Sequence, residues 1–197
     1  VKIAIFVSNE DHCLADLLFR YKNGEINCKI PLVIGNHRNA QRLVEFYGIP
    51  FYEIPVDKHD KSIGEERALK MLVENKIDLV ILARYMQILS ADFIKNVDKP
   101  IINIHHSFLP AFVGAKPYHQ AYARGVKIIG ATSHYVSPDL DSGPIIEQDT
   151  VRVTHNDTIA DLVRKGKDIE RVVLSRAVRW HLERRILVYG NKTVVFD

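Results

Sequence analysis

Between Ile3 and His105, short uninterrupted apolar runs alternate with stretches whose apolar residues recur every three or four positions. Ile3 to Val7, Ile30 to Ile34 and Leu79 to Leu82 are too short and too uniformly apolar for amphipathic helices, and they read as buried strands. Leu14 to Tyr21, Ala40 to Tyr47 and Glu65 to Glu74 carry the helical spacing between them. Alternation of this kind requires crossover helices on a parallel sheet. The expected fold class is therefore α/β, a mostly parallel central sheet with flanking helices.

Ser90 is placed to cap a short helix that ends before Lys99-Pro100, because the residue before a proline is pushed out of helical geometry. Ile101 to His105 follows as a strand. Tyr118 to Arg124 reads as a helical turn that Gly125 terminates. Lys127 to Val136 and Ile145 to Val153 are longer strand patterns, separated by the turn-rich Ser137 to Pro144. Asp157 to Arg185 reads as a long helical region interrupted near Gly166, and Gly190-Asn191 as the turn of a terminal hairpin. No repeat or linker breaks the chain, so one domain over 1–197 is expected.

The bulk numbers exclude more than they assign. At 47% hydrophobic and 26% charged residues the composition is that of an ordinary globular enzyme. A net charge of +3 is too small to argue for a nucleic-acid partner. The basic excess is concentrated between Arg164 and Lys192, on a helix pattern, and reads as a solvated face. Cys13 and Cys28 are too few for a disulfide scaffold and read as inert core thiols of a reducing, cytoplasmic compartment. The chain opens directly on a strand pattern without a signal peptide, and no apolar run reaches membrane-spanning length. It begins with Val rather than Met, which suggests a processed or excised form. A homo-oligomer stays open as an alternative to a single chain.

The densest polar cluster is Asn103-Ile-His-His-Ser107. Residues two apart on a strand share a face, so Asn103 and His105 point one way while Ile102 and Ile104 pack the other. The strand stops before Leu109-Pro110, and the carboxyl ends of strands in open α/β sheets border the ligand crevice. Asn and His there could merely satisfy loop backbone, and Asp139 and Asp141, in the turn after the next strand, could merely bond their own. Together the residues suit another task. Attack on an amide carbon needs an oxyanion donor, a base for the nucleophile and an acid for the departing nitrogen. Asn103 donates without charge, His105 donates or accepts, and Asp141 can orient water and take a proton. None of the three is itself a nucleophile.

A metal site could draw on His105, His106, His119 and His134 with Asp139 and Asp141. Their spacing matches no metal pattern, and adjacent histidines on a strand point to opposite faces, so no metal is expected. The absence of G-x-G-x-x-G after the first strand argues against a nicotinamide cofactor.

Asn103-Ile-His-His-Ser-Phe-Leu-Pro110 followed by Asp141-Ser-Gly-Pro144 resembles the Rossmann-like formyltransferase fold shared by glycinamide ribonucleotide transformylases and their relatives. The hydrolytic branch, the formyltetrahydrofolate deformylases, is closer still. His105-His106, Phe108 to His119, Leu82-Ala-Arg-Tyr-Met-Gln-Ile-Leu-Ser90 and Arg179-Trp-His-Leu-Glu183 all look like that branch, and the likeness runs over essentially the whole chain. It implies hydrolysis of 10-formyltetrahydrofolate to formate and tetrahydrofolate, with Asn103, His105 and Asp141 catalytic. Met86, Gln87, Ile88 and Leu89 would bind the pterin through backbone groups, although the bland reading of Met86, Ile88 and Leu89 is core packing. Ser137, Pro138, Asp139 and Leu140, with Asp141, would form the other wall. The partner implied is the folate substrate, with no further cofactor, and the role is formate supply for purine biosynthesis.

Two departures from the family matter. Where the ribonucleotide transformylases carry a glycine-rich phosphate cradle after the first strand, this chain has Ser8-Asn-Glu-Asp-His12. Acids there oppose a phosphorylated acceptor, which weakens the alternative of formyl transfer to an amine. The small N-terminal amino-acid-sensing domain usual in the hydrolases is not in this sequence. His12, His37, His59, His119, His134, His155 and His181 have no derived role, His119 and His134 being best placed to line a pocket.

Overall fold

A computed structural model describes residues 1–57, 60–110 and 117–196. They form two compact units, Val1–Asn103 with Tyr135–Gly143, and Ile104–His134 with Pro144–Asp197.

The first unit is built on parallel strands β1 (Lys2–Val7), β2 (Lys29–Gly35), β3 (Phe51–Glu53), β4 (Leu79–Leu82) and β5 (Ile101–His105). β1 pairs with β2 on one side and β4 on the other, Ala4 standing opposite both Leu32 and Val80. The chain therefore winds outward through β2 and β3, then returns to place β4 and β5 on the opposite side. That reversal between β1 and β4 is the position at which doubly wound sheets open a crevice. Helices α1 (His12–Lys22), α2 (Gln41–Phe46), α3 (Ser62–Glu74) and α4 (Ala91–Val97) connect the strands. Ala4, Phe6, Leu32, Ile34, Val80 and Leu82 pack with Ala68, Leu72, Phe93 and Val97 into one core, almost every residue essentially dry. A strand covered on both faces cannot alternate, which is why these sequences are continuous apolar runs. β3 was not foreseen: it is three residues long, between Pro50 and Pro55, and too short to show a period.

The second unit takes over the last two residues of β5 and adds α5 (Pro117–Arg124), β6 (Ile128–Tyr135), β7 (Ile145–Arg152) and α6 (Ile159–Leu182). β6 and β7 are antiparallel, and the seven-stranded order is β3-β2-β1-β4-β5-β6-β7. β8 (Ile186–Tyr189) and β9 (Lys192–Val195) form the terminal hairpin, with Gly190 in the left-handed region at φ 55°. Gly125, at φ 67°, ends α5 as its sequence predicts.

α6 corrects the expected break at Gly166. It is one helix of 24 residues, opened by a capping box between Thr158 and Asp161. A glycine costs a helix only about 1 kcal/mol against alanine, less than the burial of Leu162, Val173, Leu174, Ala177 and Val178 returns. The basic face is partly exposed and partly paired. Arg164 pairs with Asp161, Lys165 with Asp157, Arg171 with Asp168 and Arg176 with Glu147 and Asp149, so much of it is neutralised. Glu170, inside the same run, is fully buried. Of the cysteines, Cys13 is a core residue, whereas Cys28 is only half-buried, its thiol pushed up to about 11 by desolvation. Among the described residues no helix is long and apolar enough to cross a membrane.

Candidate active site

β5 carries the polar pair as its pleat requires. Ile102 and Ile104 are dry, Asn103 is half-buried opposite Leu82 of β4, and His105 keeps 7% exposure at the strand's carboxyl end. The segment that follows is fixed by hydrogen bonds. The Thr132 hydroxyl donates to the Ser107 carbonyl at 2.9 Å and accepts from the Leu109 amide at 3.0 Å. The Gln148 side-chain amide donates to the Leu109 carbonyl at 3.1 Å and to the same threonine oxygen at 2.9 Å.

At the reversal between β1 and β4, the chain leaves β4 as Arg84 to Ser90, and this loop is held from beneath at three points. The buried Ser8 hydroxyl, at the end of β1, accepts from the Met86 amide at 2.9 Å, while its own amide donates to the Arg84 carbonyl at 3.3 Å. Lys61 Nζ donates to the Ile88 carbonyl at 3.1 Å. The Glu65 carboxylate, from the first turn of α3, accepts from both the amide and the hydroxyl of Ser90, at 2.8 and 2.5 Å. Ser90 in turn caps α4 by accepting from the Phe93 amide. A pocket of about 370 Å3, open to solvent, lies against this loop, lined by Gln87, Ile88, Leu89, Lys61, Glu65 and Tyr85 among others. Burial, aided by the nearby Glu65 charge, pushes the Tyr85 phenol up to about 12, so it stays a neutral donor.

Hydrogen bonds within the turn after β6 help to shape it. The Ser137 hydroxyl donates to the Asp139 carbonyl at 2.9 Å and the Ser142 hydroxyl to the Leu140 carbonyl at 3.0 Å. Asp141 sits at φ 52°, a left-handed conformation that aspartate tolerates better than most residues. Gly143 then passes so close to the preceding strand that a Cβ would stand 1.8 Å from the Tyr135 carbonyl oxygen. The turn starts beside β5, since the Val136 amide donates to the Ile101 carbonyl at 2.8 Å.

The sequence-predicted residues fall on three strand ends. Asn103 and His105 share the end of β5, Met86 to Leu89 form the loop after β4, and Ser137 to Asp141 form the turn after β6. Core packing fails as an account of Met86 and Ile88, which are 54% and 60% exposed, while Leu89 packs on the core. His119 is exposed on α5 and His134 is buried on β6. His59 and the 111–116 part of the Phe108–His119 motif lie outside the described residues. Sequence reasoning missed Lys61 and Glu65 as loop supports. Ser8 alone carried a signal, a lone polar residue ending an apolar strand.

The segment after β1 carries side-chain contacts of its own. Its Glu10 carboxylate lies 3.8 Å from Nδ1 of His12, and the Asn9 side-chain Oδ1 accepts from the Asn39 side-chain Nδ2 at 3.1 Å.

The family model for formyl transferase matches residues 1–178. The chain belongs to the formyl transferase family. Within that family it is 56% identical, over 99% of its length, to a protein named formyltetrahydrofolate deformylase from Synechocystis, of which it covers 68%. It superposes with a TM-score of 0.97 and 53% identity on the crystal structure of a formyltetrahydrofolate deformylase from Pseudomonas syringae, covering all of this chain and 66% of that one. A glycinamide ribonucleotide transformylase from Symbiobacterium toebii superposes with a TM-score of 0.92 at 28% identity, covering 94% of that chain. The chain thus spans about two thirds of the deformylases it matches and almost the full length of that transformylase. The formyl transferase fold expected from the sequence is the one observed, and the greater likeness is to the hydrolytic branch.

Proposed function

We propose that this chain is the catalytic part of a 10-formyltetrahydrofolate hydrolase. Water attacks the formyl carbon directly; the carbon–nitrogen bond breaks, the folate nitrogen takes a proton, and formate leaves. Asn103 donates to the oxyanion of the tetrahedral intermediate, His105 donates to it and passes a proton to the departing nitrogen, and Asp141 orients the water and removes its proton. No covalent intermediate is required, because water itself attacks the formyl carbon. Neither a metal nor an organic cofactor is invoked beyond the folate substrate.

The observation that carries this reading is the placement of Asn103 and His105 on one face at the carboxyl end of β5. That is where an open α/β sheet binds its ligand. The clamped loop at Met86, Gln87, Ile88 and Leu89 presents backbone groups of fixed direction to the pterin, and Ser137, Pro138, Asp139 and Leu140 supply the facing wall. Relatives more than half identical carry the deformylase name, which favours water over an amine acceptor. The acids Glu10 and Asp11, where a transformylase cradles phosphate, favour it too. The setting we assign is cytoplasmic one-carbon metabolism, with the formate available to purine synthesis and a homo-oligomer as the alternative to a single chain.

Incubating the purified chain with 10-formyltetrahydrofolate and no acceptor tests the reading. Formate and tetrahydrofolate should appear in equal amounts. Formyl recovered on an added amine, with little formate, would assign transfer instead.

A further inference from the structure

The reading above leaves His106 and the buried carboxylate of Glu170 without a task. The second unit connects them. Glu170 has no exposed surface, and an unbonded carboxylate there would be costly. It accepts a hydrogen bond from the Tyr118 hydroxyl at 2.5 Å. Gly166 lies one helical turn before Glu170 on the same face of α6, and a Cβ there would stand 2.0 Å from the Tyr118 oxygen. The glycine that failed to break α6 is thus the gap through which the phenol reaches its acceptor.

The phenol pinned in this way packs on His106, the residue next to His105. The Tyr118 and His106 rings are 6.3 Å apart between centroids at 59°, and the His106 and His105 rings 5.4 Å apart at 43°. Both spacings lie in the range of paired aromatic rings. His106 and Tyr118 also border a pocket of about 580 Å3, open to solvent, which Phe108, Ala121, Ile128 and Ile129 help to line. We infer that Tyr118, anchored by Glu170 across Gly166, is a positioning residue that holds His106 and through it the His105 imidazole. The inference rests on the proposed role of His105. It makes the helical glycine and the buried carboxylate supports of that ring, at a distance from the substrate.

Three variants of the whole chain test it: Tyr118→Ala, which removes the wall; Tyr118→Phe, which keeps the ring and loses the anchor; and Gly166→Ala, which displaces the phenol while improving the helix. With 10-formyltetrahydrofolate, kcat should fall about 30-fold in Tyr118→Ala, about 10-fold in Gly166→Ala and about 3-fold in Tyr118→Phe, with KM within about twofold throughout. The His105 imidazole resonances, observed with 15N-labelled histidine, should shift or broaden in the same order. The inference is overturned if folded Tyr118→Ala and Gly166→Ala keep the parent kcat, if only KM changes, or if the His105 resonances do not move. Should the parent chain release no formate, the hydrolase reading fails on that result alone. The His105 resonances then still decide whether Tyr118 positions the ring.

Discussion

Two segments of the first unit flank the ligand end of its sheet, and they are fixed in opposite ways. The loop after β4 is held by side chains distant in sequence: Ser8 lies 78 residues from Met86, Lys61 lies 27 from Ile88, and Glu65 lies 25 from Ser90. The turn after β6 is held by hydroxyls bonding carbonyls two residues away, by one left-handed aspartate and by one glycine against a neighbouring carbonyl. The first arrangement can be loosened one contact at a time. The second is a tight local geometry, and it carries the residue assigned to proton transfer. Damage to the first should therefore appear mainly in substrate affinity, and damage to the second mainly in turnover.

The largest effect expected is from Asp141→Asn. Asparagine accepts φ 52° as readily as aspartate, so the turn should survive while the base is lost. Turnover should drop at least about 100-fold with an unchanged melting temperature, and His105→Ala should drop as far. A variant Asp141→Asn that unfolds, or one that turns over normally, would break the assignment of chemistry to the turn.

Gly143→Ala should come next. The added methyl meets a backbone oxygen that cannot swing aside, so the turn must shift, and a displacement near 1 Å at a catalytic group costs up to about 100-fold. Measured kcat should bear most of that loss. A rise in KM alone would mean that the turn serves binding rather than catalysis.

Glu65→Ala removes two charge-assisted bonds from Ser90 but leaves the Ser90 cap on Phe93 intact. KM should rise about tenfold, with kcat nearly unchanged. Ser8→Ala removes a single hydroxyl and should raise KM about threefold in the same direction. Equal kcat and KM effects in these two variants would erase the contrast between the segments.

The contrast also explains what could be read from the chain. Turn chemistry is local, so Ser137 to Pro144 was recognisable as a turn and Asp141 as a candidate from residues a few positions apart. The strand pattern was legible for the same reason: Leu79 to Leu82 appears with the bounds expected because a strand buried on both faces reads as one apolar run, and Ile101 to His105 because its isoleucines frame the polar pair. The loop clamp was not legible. Nothing around Lys61 or Glu65 distinguishes them from other charges on a helix start until β1 and β4 are placed side by side. Gly166 misled because its reason, the phenol of Tyr118, comes from another helix. The pairing of the basic stretch of α6 was legible only in part: Asp161 and Asp168 stand three residues from their arginines, whereas Glu147, Asp149 and Asp157 come from outside the helix.

The central claim is that water is the acceptor and Asp141 its base. The direct test is release of formate and tetrahydrofolate from 10-formyltetrahydrofolate by the purified chain without any amine, compared with Asp141→Asn. The account predicts equimolar products from the parent and a loss of at least about 100-fold in the variant. Folate binding without formate from the parent, or unchanged formate release from Asp141→Asn, would contradict it.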